Sequence, residues 1–464
     1  MSGIDLTFWG AAGQVTGSCH LLNVRGTQVA LDCGLFQGKR DESKRLNEEV
    51  PFDPRQLSAL VLSHAHIDHA GRIPLLVARQ FDRPIHATPA TRDLCAIMLA
   101  DSAYIQESDF RWLQKKGRAG PDSAPLYTGK DAVRAQELMH GHPYRKSFPV
   151  ADHIVATFHD AGHILGSASV EVQVGGPTPH RLVFSGDIGR WNQPIIRDPS
   201  APRGPVDTLI IESTYARKQH PTIVDASGLL GELVRRVYDR GGKIIIPAFS
   251  VGRTQELVYA LHQLAKDGAI PEIPIFIDSP LAVEATSVFR MHPEVFDTSE
   301  DLIASKASIF DHHLVRYTRD VSESKKLNTM PGPAIIISAS GMAEAGRIVH
   351  HLLNHAGDPK NCILIVGFQA EHTLGRRIQD GRKEVRIMGE DVTIRAEVAS
   401  IEGYSAHAGS DELRRWVRDL GGPVRRAFCV HGEPEGLVAM KLLLEEEGVK
   451  EVHVPAHGER VELA

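Results

Sequence analysis

Four side chains of metal-ligand type fall within the six residues His64–His69, whose sequence is HAHIDH. His64 and His66 are two residues apart, so both rings can point to one side of an extended loop. Asp68 and His69 can then turn toward a neighbouring position. Imidazole and carboxylate ligands suit zinc and related divalent ions, and no thiolate accompanies them to indicate a structural cysteine site. A His-rich surface loop is the alternative, but this density of ligand-type residues after an apolar run favours a metal site.

Two further candidates stand where predicted strands end. His163 lies in a glycine-framed turn, DAGHILGSA (160–168), and Asp187 lies in SGDIG (185–189), which follows an apolar run. Each residue alone is more typical of a turn than of a site. Their shared position at strand exits favours a role beside the HAHIDH loop.

The elements that must position these residues change in style along the chain. In the N-terminal part, short strand-like runs are separated by glycine-rich turns, and Ala59–Ser63 predicts a strand buried on both faces. After residue 215, apolar runs alternate with helical segments, which predicts a mostly parallel sheet covered on both faces. Short strands return at about residue 392 with the predicted strand Val392–Ser400. The pattern predicts one discontinuous domain, 1–215 and 392–464, with a second α/β domain inserted at 216–391.

Composition excludes several classes of protein. The 464 residues include 52 basic and 58 acidic side chains, for a formal net charge of −6, which excludes a bulk polycation but not a local basic groove for nucleic acid. An apolar content of 42% with 24% charged residues is typical of a globular chain. We find no secretory signal and no apolar run long enough to span a membrane. The five scattered cysteines predict buried free thiols in a cytoplasmic protein.

The same motifs resemble those of a known fold. HAHIDH, AGHILGSAS (161–169) and SGDIG resemble the metal motifs of the metallo-β-lactamase fold. Downstream, IIESTY (210–215), EGYSAH (402–407) and CVHG (429–432) resemble motifs of its β-CASP branch, which contains nucleases such as the endonuclease subunit of the cleavage and polyadenylation specificity factor. The chain begins almost directly with the catalytic motifs, so we expect it to be most similar to the shorter bacterial members. The resemblance spans essentially the whole chain and implies an αββα metallo-β-lactamase sandwich with an inserted α/β β-CASP domain.

The resemblance implies two Zn²⁺ ions per chain, with Mn²⁺ as the alternative metal. Seven residues would be ligands: for one ion His64, His66 and His163, for the other Asp68, His69 and His431, and for both ions Asp187. Asp32, at the end of another predicted strand, would support the metal loop from behind. Two such ions activate a water molecule and offset the charge on a phosphoryl group.

The resemblance also assigns the proton that a leaving oxygen needs to His407. Glu212 would hold the tautomer of His407, and Asp68 would act in catalysis as well as in metal binding. From the residues alone, a helix-capping or surface histidine is the favoured interpretation of His407. Members of the branch that act on RNA carry a histidine at the position of His431, so the resemblance implies RNA as the substrate.

Two loops could bind phosphate. Ser250 and Arg253 lie between an apolar run and a helical segment, and Ser340, Gly341 and Met342 repeat this arrangement. Helix N termini with small residues favour phosphate through free N–H groups and the helix dipole. Tight α/β loops that need small residues explain both segments equally well. Arginine and lysine clusters at 376–386 and 414–426 are by default solvated faces, with an RNA backbone as the alternative.

The expected function is therefore zinc-dependent hydrolysis of RNA phosphodiester bonds in RNA processing or decay. Endonucleolytic cleavage is the expected mode, and 5′-exonuclease action is the alternative. The expected partner is single-stranded RNA, without membrane association, and the resemblance is compatible with a homodimer. One alternative is a thioester or lactone hydrolase on the same fold, which the long insert disfavours. Another is a non-catalytic RNA-binding subunit, which the complete ligand set disfavours. DNA cleavage is disfavoured by His431 alone.

Overall fold

The computed structural model of the chain describes residues 3–38, 40–117, 120, 123–176, 179–297 and 310–463. The chain divides into two compact units, the first formed by Met1–Trp191, Asp198–Gln219 and His407–Ala464 and the second by Asn192–Arg197 and His220–Ala406. The predicted inserted domain, 216–391, ends earlier than the second unit. The difference arises because strand Glu397–Ser400 pairs with Cys362–Ile365 inside that unit.

The first unit contains two seven-stranded sheets. In spatial order, the strands of one sheet are Arg460–Glu462, Ile4–Gly10, Cys19–Val24, Thr27–Leu31, Leu57–Val61, Ile85–Ala87 and Met139–Gly141. Those of the other are Glu451–His453, Val424–Val430, Val206–Glu212, His180–Phe184, Ala168–Val174, Ile154–Asp160 and Ser147–Ala151. Alternate side chains of both sheets, among them Leu22, Val61, Phe158 and Phe184, meet in one apolar core.

Helices cover the sheets and complete the predicted αββα sandwich. On the second sheet, Leu209 and Ile211 point away from the sandwich core and pack with Trp416 and Met440 of helices Ser410–Asp419 and Pro434–Glu446. Three helices pack together beside the first sheet: Ile73–Ala78, Pro89–Lys115 and Gly129–Glu137. Of these, Pro89–Lys115 contacts the edge strand Met139–Gly141 of that sheet. Two further helices belong to this unit, Arg40–Glu48 and Ile67–Ala70.

The second unit is built on a six-stranded sheet. Its order is Val315–Tyr317, Ile275–Ile277, Ala334–Ser338, Lys243–Pro247, Cys362–Ile365 and Glu397–Ser400, and every neighbouring pair is parallel. Ile244, Ile245, Ile335 and Ile336 are all buried, so the central strands are covered on both faces as predicted. The helices of this unit within the described residues are Ile223–Asp239, Arg253–Lys266, Pro280–Met291, Val321–Thr329, Arg347–His355 and Leu374–Gln379.

The prediction of one strand at Val392–Ser400 is wrong, because this segment forms two strands in different sheets. Glu390–Thr393 pairs with Glu384–Ile387 in a separate hairpin, whereas Glu397–Ser400 joins the parallel sheet. Between the two strands, Ile394 buries its side chain in the core and donates its backbone N–H to the carbonyl of Lys383. This anchor ends the first strand and redirects the chain.

The predicted state of the cysteines is confirmed, since all five are buried and carry free thiols. Within the described ranges, no helix combines the length and hydropathy that crossing a bilayer requires.

Candidate active site

Asp32 holds the HAHIDH loop in place. It follows strand Thr27–Leu31 with a φ of 61°, and its side chain is fully buried. Its carboxylate accepts hydrogen bonds from the backbone N–H and the hydroxyl of Ser63, each at 2.8 Å, and lies 2.7 Å from Nδ1 of His69. Both ends of the loop are thereby fixed to one carboxylate. The sequence motifs did not indicate a role for Ser63, although its position directly before the first histidine could have marked it as a residue that supports the loop.

The first donor group contains three imidazoles and one carboxylate oxygen. Nδ1 of His66 lies 3.1 Å from Nε2 of His64 and 3.1 Å from Nε2 of His163. The latter two nitrogen atoms each lie 3.5 Å from Oδ2 of Asp187. All four donor atoms lie within 4.8 Å of one another, so they can face a single ion.

The second donor group lies on the other side of Asp187. Nε2 of His69 and Nε2 of His431 are 3.1 Å apart, and they lie 3.3 Å and 3.7 Å from Oδ1 of Asp187. Oδ2 of Asp68 lies 3.5 Å from Nε2 of His431. The two carboxylate oxygens of Asp187 therefore face different groups of histidines.

The backbone before Asp187 allows this position. Gly186 has a φ of 55°, and a Cβ atom there would lie 2.9 Å from the carbonyl oxygen of Ala168. Glycine is thus required for the close approach of the Asp187 loop to the neighbouring strand. The turn places Asp187, only 2% exposed, between the two groups.

These donor groups fit divalent metal ions. Two ligands of a tetrahedral zinc ion are about 3.3 Å apart, close to the facing nitrogen atoms here. Burial lowers the pKa of His64, and it lowers that of His66 to about 4, so both rings are neutral, as ligands must be. Burial also acts to lower the pKa of His69, but Asp187 and Asp32 raise it well above its usual range.

Glu212 and His407 lie beside the first group. Glu212 ends strand Val206–Glu212, is 1% exposed and accepts hydrogen bonds from the backbone N–H of Ile188 at 2.7 Å and of Thr214 at 3.3 Å. Nδ1 of His407 lies 3.3 Å from Oε1 of Glu212 and 3.9 Å from Oδ2 of Asp187. Burial acts to lower the pKa of His407, but the charge and hydrogen bond of Glu212 outweigh it and raise this pKa above its usual value.

Thr214 is a second residue that sequence analysis missed. Its Oγ1 lies 3.1 Å from Nδ1 of His431 and donates to the backbone carbonyl of the same residue at 3.2 Å. His431 adopts a backbone φ of 51°, which few residue types tolerate, and Thr214 contacts both its ring and its backbone carbonyl. The only sequence signal is the hydroxyl two residues after Glu212.

The predicted phosphate-binding residues all belong to the second unit. Strand residues Pro247 and Ser338 are register partners, so the loops after them leave adjacent carboxyl ends of the sheet. In the first loop, the hydroxyl of Ser250 lies 3.1 Å from that of Ser279, and Arg253 forms an ion pair with Glu256.

Internal bonds also hold the second loop. The hydroxyl of Ser340 accepts the backbone N–H of Glu344 at 3.2 Å, and the carbonyl of Met342 accepts that of Gly375 at 3.0 Å. A Cβ atom at Gly341 would lie 2.7 Å from the ring of Phe249. This close packing is compatible with the alternative interpretation of a tight α/β loop and leaves phosphate binding by these residues a prediction.

Several arginines of the two basic clusters form ion pairs with acidic side chains. Arg414 and Arg418 contact Glu447, Arg426 contacts Glu451, and Arg376 contacts Asp380. Structural ion pairs account for these arginines without a nucleic acid.

The fold and the donor groups define a metallo-β-lactamase-type hydrolase. Three family models match the chain: the metallo-beta-lactamase superfamily at residues 12–206, the Beta-Casp domain at 254–378 and the Zn-dependent metallo-hydrolase RNA specificity domain at 391–455. The chain belongs to the β-CASP branch of the metallo-β-lactamase superfamily, as its motifs predicted.

Relatives support this assignment over nearly the whole chain. Ribonuclease TTHA0252 of Thermus thermophilus is 36% identical over 457 residues, which cover 98% of both chains. Transcription termination factor FttA of Methanosarcina mazei is 32% identical over 449 residues, covering 94% of this chain and 68% of the factor. A crystal structure of a protein of unknown function from Enterococcus faecalis has the same fold, with a TM-score of 0.53 at 14% identity over 99% of this chain and 100% of that one.

Proposed function

We propose that this protein is a zinc-dependent ribonuclease that cuts single-stranded RNA in the cytoplasm, mainly at internal bonds. The observation that carries the proposal is the carboxylate of Asp187, whose two oxygen atoms face two separate groups of histidines. A carboxylate shared in this way supports a pair of ions. The relative that is named a ribonuclease, aligned over 98% of each chain, supports RNA as the substrate.

His64, His66 and His163 would hold one zinc ion, and Asp68, His69 and His431 would hold the other, with Asp187 facing both groups. When bound, the two ions supply an activated water molecule and offset negative charge on the phosphoryl oxygens. Asp32 orients the ring of His69 through its 2.7 Å contact with Nδ1.

His407 supplies the proton to the leaving oxygen. Its Nδ1 is directed at Glu212, so Nε2 is the nitrogen that carries the transferable proton. The raised pKa favours the doubly protonated ring that a general acid needs at neutral pH. Glu212 keeps the ring oriented while the proton leaves, because its carboxylate is itself held by two backbone N–H groups.

Several finer features belong to the same proposal. Ser250, Arg253, Ser340, Gly341 and Met342 contact the RNA backbone from the two adjacent strand-end loops of the second unit. The buried free thiols are consistent with a reducing compartment. A homodimer and a 5′-exonuclease mode remain predictions from the sequence motifs.

The test is cleavage of one 5′-labelled RNA and the matching DNA by zinc-loaded protein. We expect RNA cutting that a chelator abolishes, that His407→Ala loses, and that the exposed control His153→Asn keeps. Internal fragments would identify endonuclease action, and mononucleotides would identify 5′-exonuclease action. Zinc-loaded protein that cuts neither nucleic acid would contradict the proposal in favour of an acyl hydrolase or a binding subunit.

A further inference from the structure

A third group of histidines lies in the first unit, outside the donor groups described above. His86 is the middle residue of strand Ile85–Ala87, and His140 is its register partner on the neighbouring strand Met139–Gly141. His142 follows two residues later, and its backbone N–H donates to the carbonyl of Ala87 at 2.8 Å. His140 and His142 have the same spacing as His64 and His66, so both can present their rings to one side of the edge strand.

Two of these rings already face each other. Nδ1 of His86 lies 2.9 Å from Nε2 of His142, slightly closer than the about 3.3 Å that separates two ligands of a tetrahedral zinc ion. The ring of His142 is stacked on Phe148, with centroids 3.8 Å apart, which fixes its direction. The ring centroid of His140 lies 6.2 Å from that of His86.

The surroundings keep the pair in the form that binds metal. His86 is 7% exposed, and its Nε2 has no hydrogen-bond partner among the residues that the structure describes. Burial lowers the pKa of His86 to about 4 and also lowers that of His142, so both imidazoles are neutral at pH 7. Neutral imidazole is the protonation state that coordinates divalent first-row ions.

We propose that His86, His140 and His142 form a further metal site, separate from the two donor groups around Asp187, that takes one imidazole-preferring divalent ion of the zinc class. His140 is exposed at the sheet edge and reaches the ion by rotation of its side chain. The ion would tie the three-residue edge strand Met139–Gly141 to its neighbour Ile85–Ala87.

The test is the zinc content of the full chain after dialysis against a fixed free concentration of Zn²⁺. We expect His140→Ala and His142→Gln each to bind one ion fewer per chain than the parent protein, and the exposed control His153→Asn to bind the full number. RNA cleavage should be unchanged in all three, which also shows that each variant is folded.

Two results would overturn the inference. If His140→Ala and His142→Gln bind as much zinc as the parent, the 2.9 Å contact is a structural hydrogen bond between two neutral rings. If the lost ion is accompanied by lost cleavage, the histidines contribute to the site around Asp187 rather than to a separate one.

Discussion

Asp187 and Asp278 are both buried aspartates that follow strands, the first after His180–Phe184 and the second after Ile275–Ile277. Their partners lie at different distances. Asp278 accepts hydrogen bonds from Ser324 at 2.6 Å and from Arg347 at 2.7 Å, and lies 2.7 Å from Nε2 of His351. Four histidine nitrogens surround Asp187 at 3.3 to 3.7 Å.

This difference separates a structural carboxylate from a ligand. An arginine neutralises the charge of Asp278, and hydrogen bonds satisfy its carboxylate oxygens. Asp278 therefore holds elements of the second unit together and needs no further partner. The imidazole rings around Asp187 are too far from its carboxylate for short hydrogen bonds. They are also too close to one another to leave room for water between them. An ion at the centre of each group would make this spacing favourable. Burial alone would not distinguish the two residues.

The largest effect is expected from removing the shared ligand. Asp187→Ala should lower the rate of RNA cleavage at least about ten-thousandfold. The substitution weakens the binding of both ions, which contribute several kcal/mol of transition-state stabilisation. Zinc content per chain should fall in the same variant, measured by atomic emission after dialysis. Full activity with an unchanged metal content would remove Asp187 from the site.

Removing the proton donor should have the next largest effect. His407→Ala should lower the cleavage rate about a hundredfold to a thousandfold while both ions stay bound, which is the range of general acid catalysis. Single-turnover rates and metal content of the same preparation test this. Wild-type rates in the variant would exclude His407 from the acid role.

Asp278→Ala should affect stability rather than chemistry. It leaves the guanidinium of Arg347 without its buried carboxylate and should destabilise the second unit by about 3 to 5 kcal/mol. Hydrogen exchange of strand Ile275–Ile277 and helix Arg347–His355 measures this loss, with the exposed Asp239→Ala as the control. Unchanged exchange would show that the comparison with Asp187 is mistaken.

A pH dependence of stability follows from His355, one turn beyond His351 on the same helix. Burial lowers the pKa of His355 to about 4. Between about 6.5 and about 4 the unfolded chain therefore binds one more proton, and stability falls as the pH falls, by at most about 1.4 kcal/mol per pH unit. Thermal unfolding from pH 7 to pH 4 tests this, and His355→Gln should flatten the curve. An equally steep curve in the variant would assign the effect to other groups.

The smallest effect is expected at Ser340. Ser340→Ala removes the acceptor for the N–H of Glu344, which should cost about 1 kcal/mol of stability. If the same hydroxyl contacts an RNA phosphate, KM should rise about tenfold or less, with kcat nearly unchanged. Steady-state kinetics distinguish the two, since a KM equal to that of the parent would leave Ser340 a purely structural role.

Strong apolar runs predicted the parallel sheet of the second unit, because they identify strands buried on both faces. The sandwich was implied by the family motifs rather than by these runs. Sequence prediction failed at Val392–Ser400, where Val392, Ile394, Ala396 and Val398 alternate with polar residues in an unbroken period of two. That pattern specifies an extended backbone but not the strand with which the segment pairs. The first half of the segment pairs in the hairpin and the second half pairs in the parallel sheet. Contacts with residues distant in the chain determine this division.

The candidate site shows the same limit. HAHIDH could be identified from residue types alone because four ligand-type residues are adjacent. His407 and His431 are single histidines far from that loop, and only family motifs indicated them. Ser63 and Thr214 orient rings through hydroxyl groups, which are too common in sequences to mark a site. Asp278 likewise has no local signal, since its partners come from two other helices.

Anomalous diffraction at the zinc edge from crystals of the zinc-loaded protein tests whether two ions share the Asp187 carboxylate. We expect two peaks about 3.5 to 4 Å apart, one on each side of this carboxylate. A single peak beside Asp187, or none, would contradict the assignment of a two-ion site.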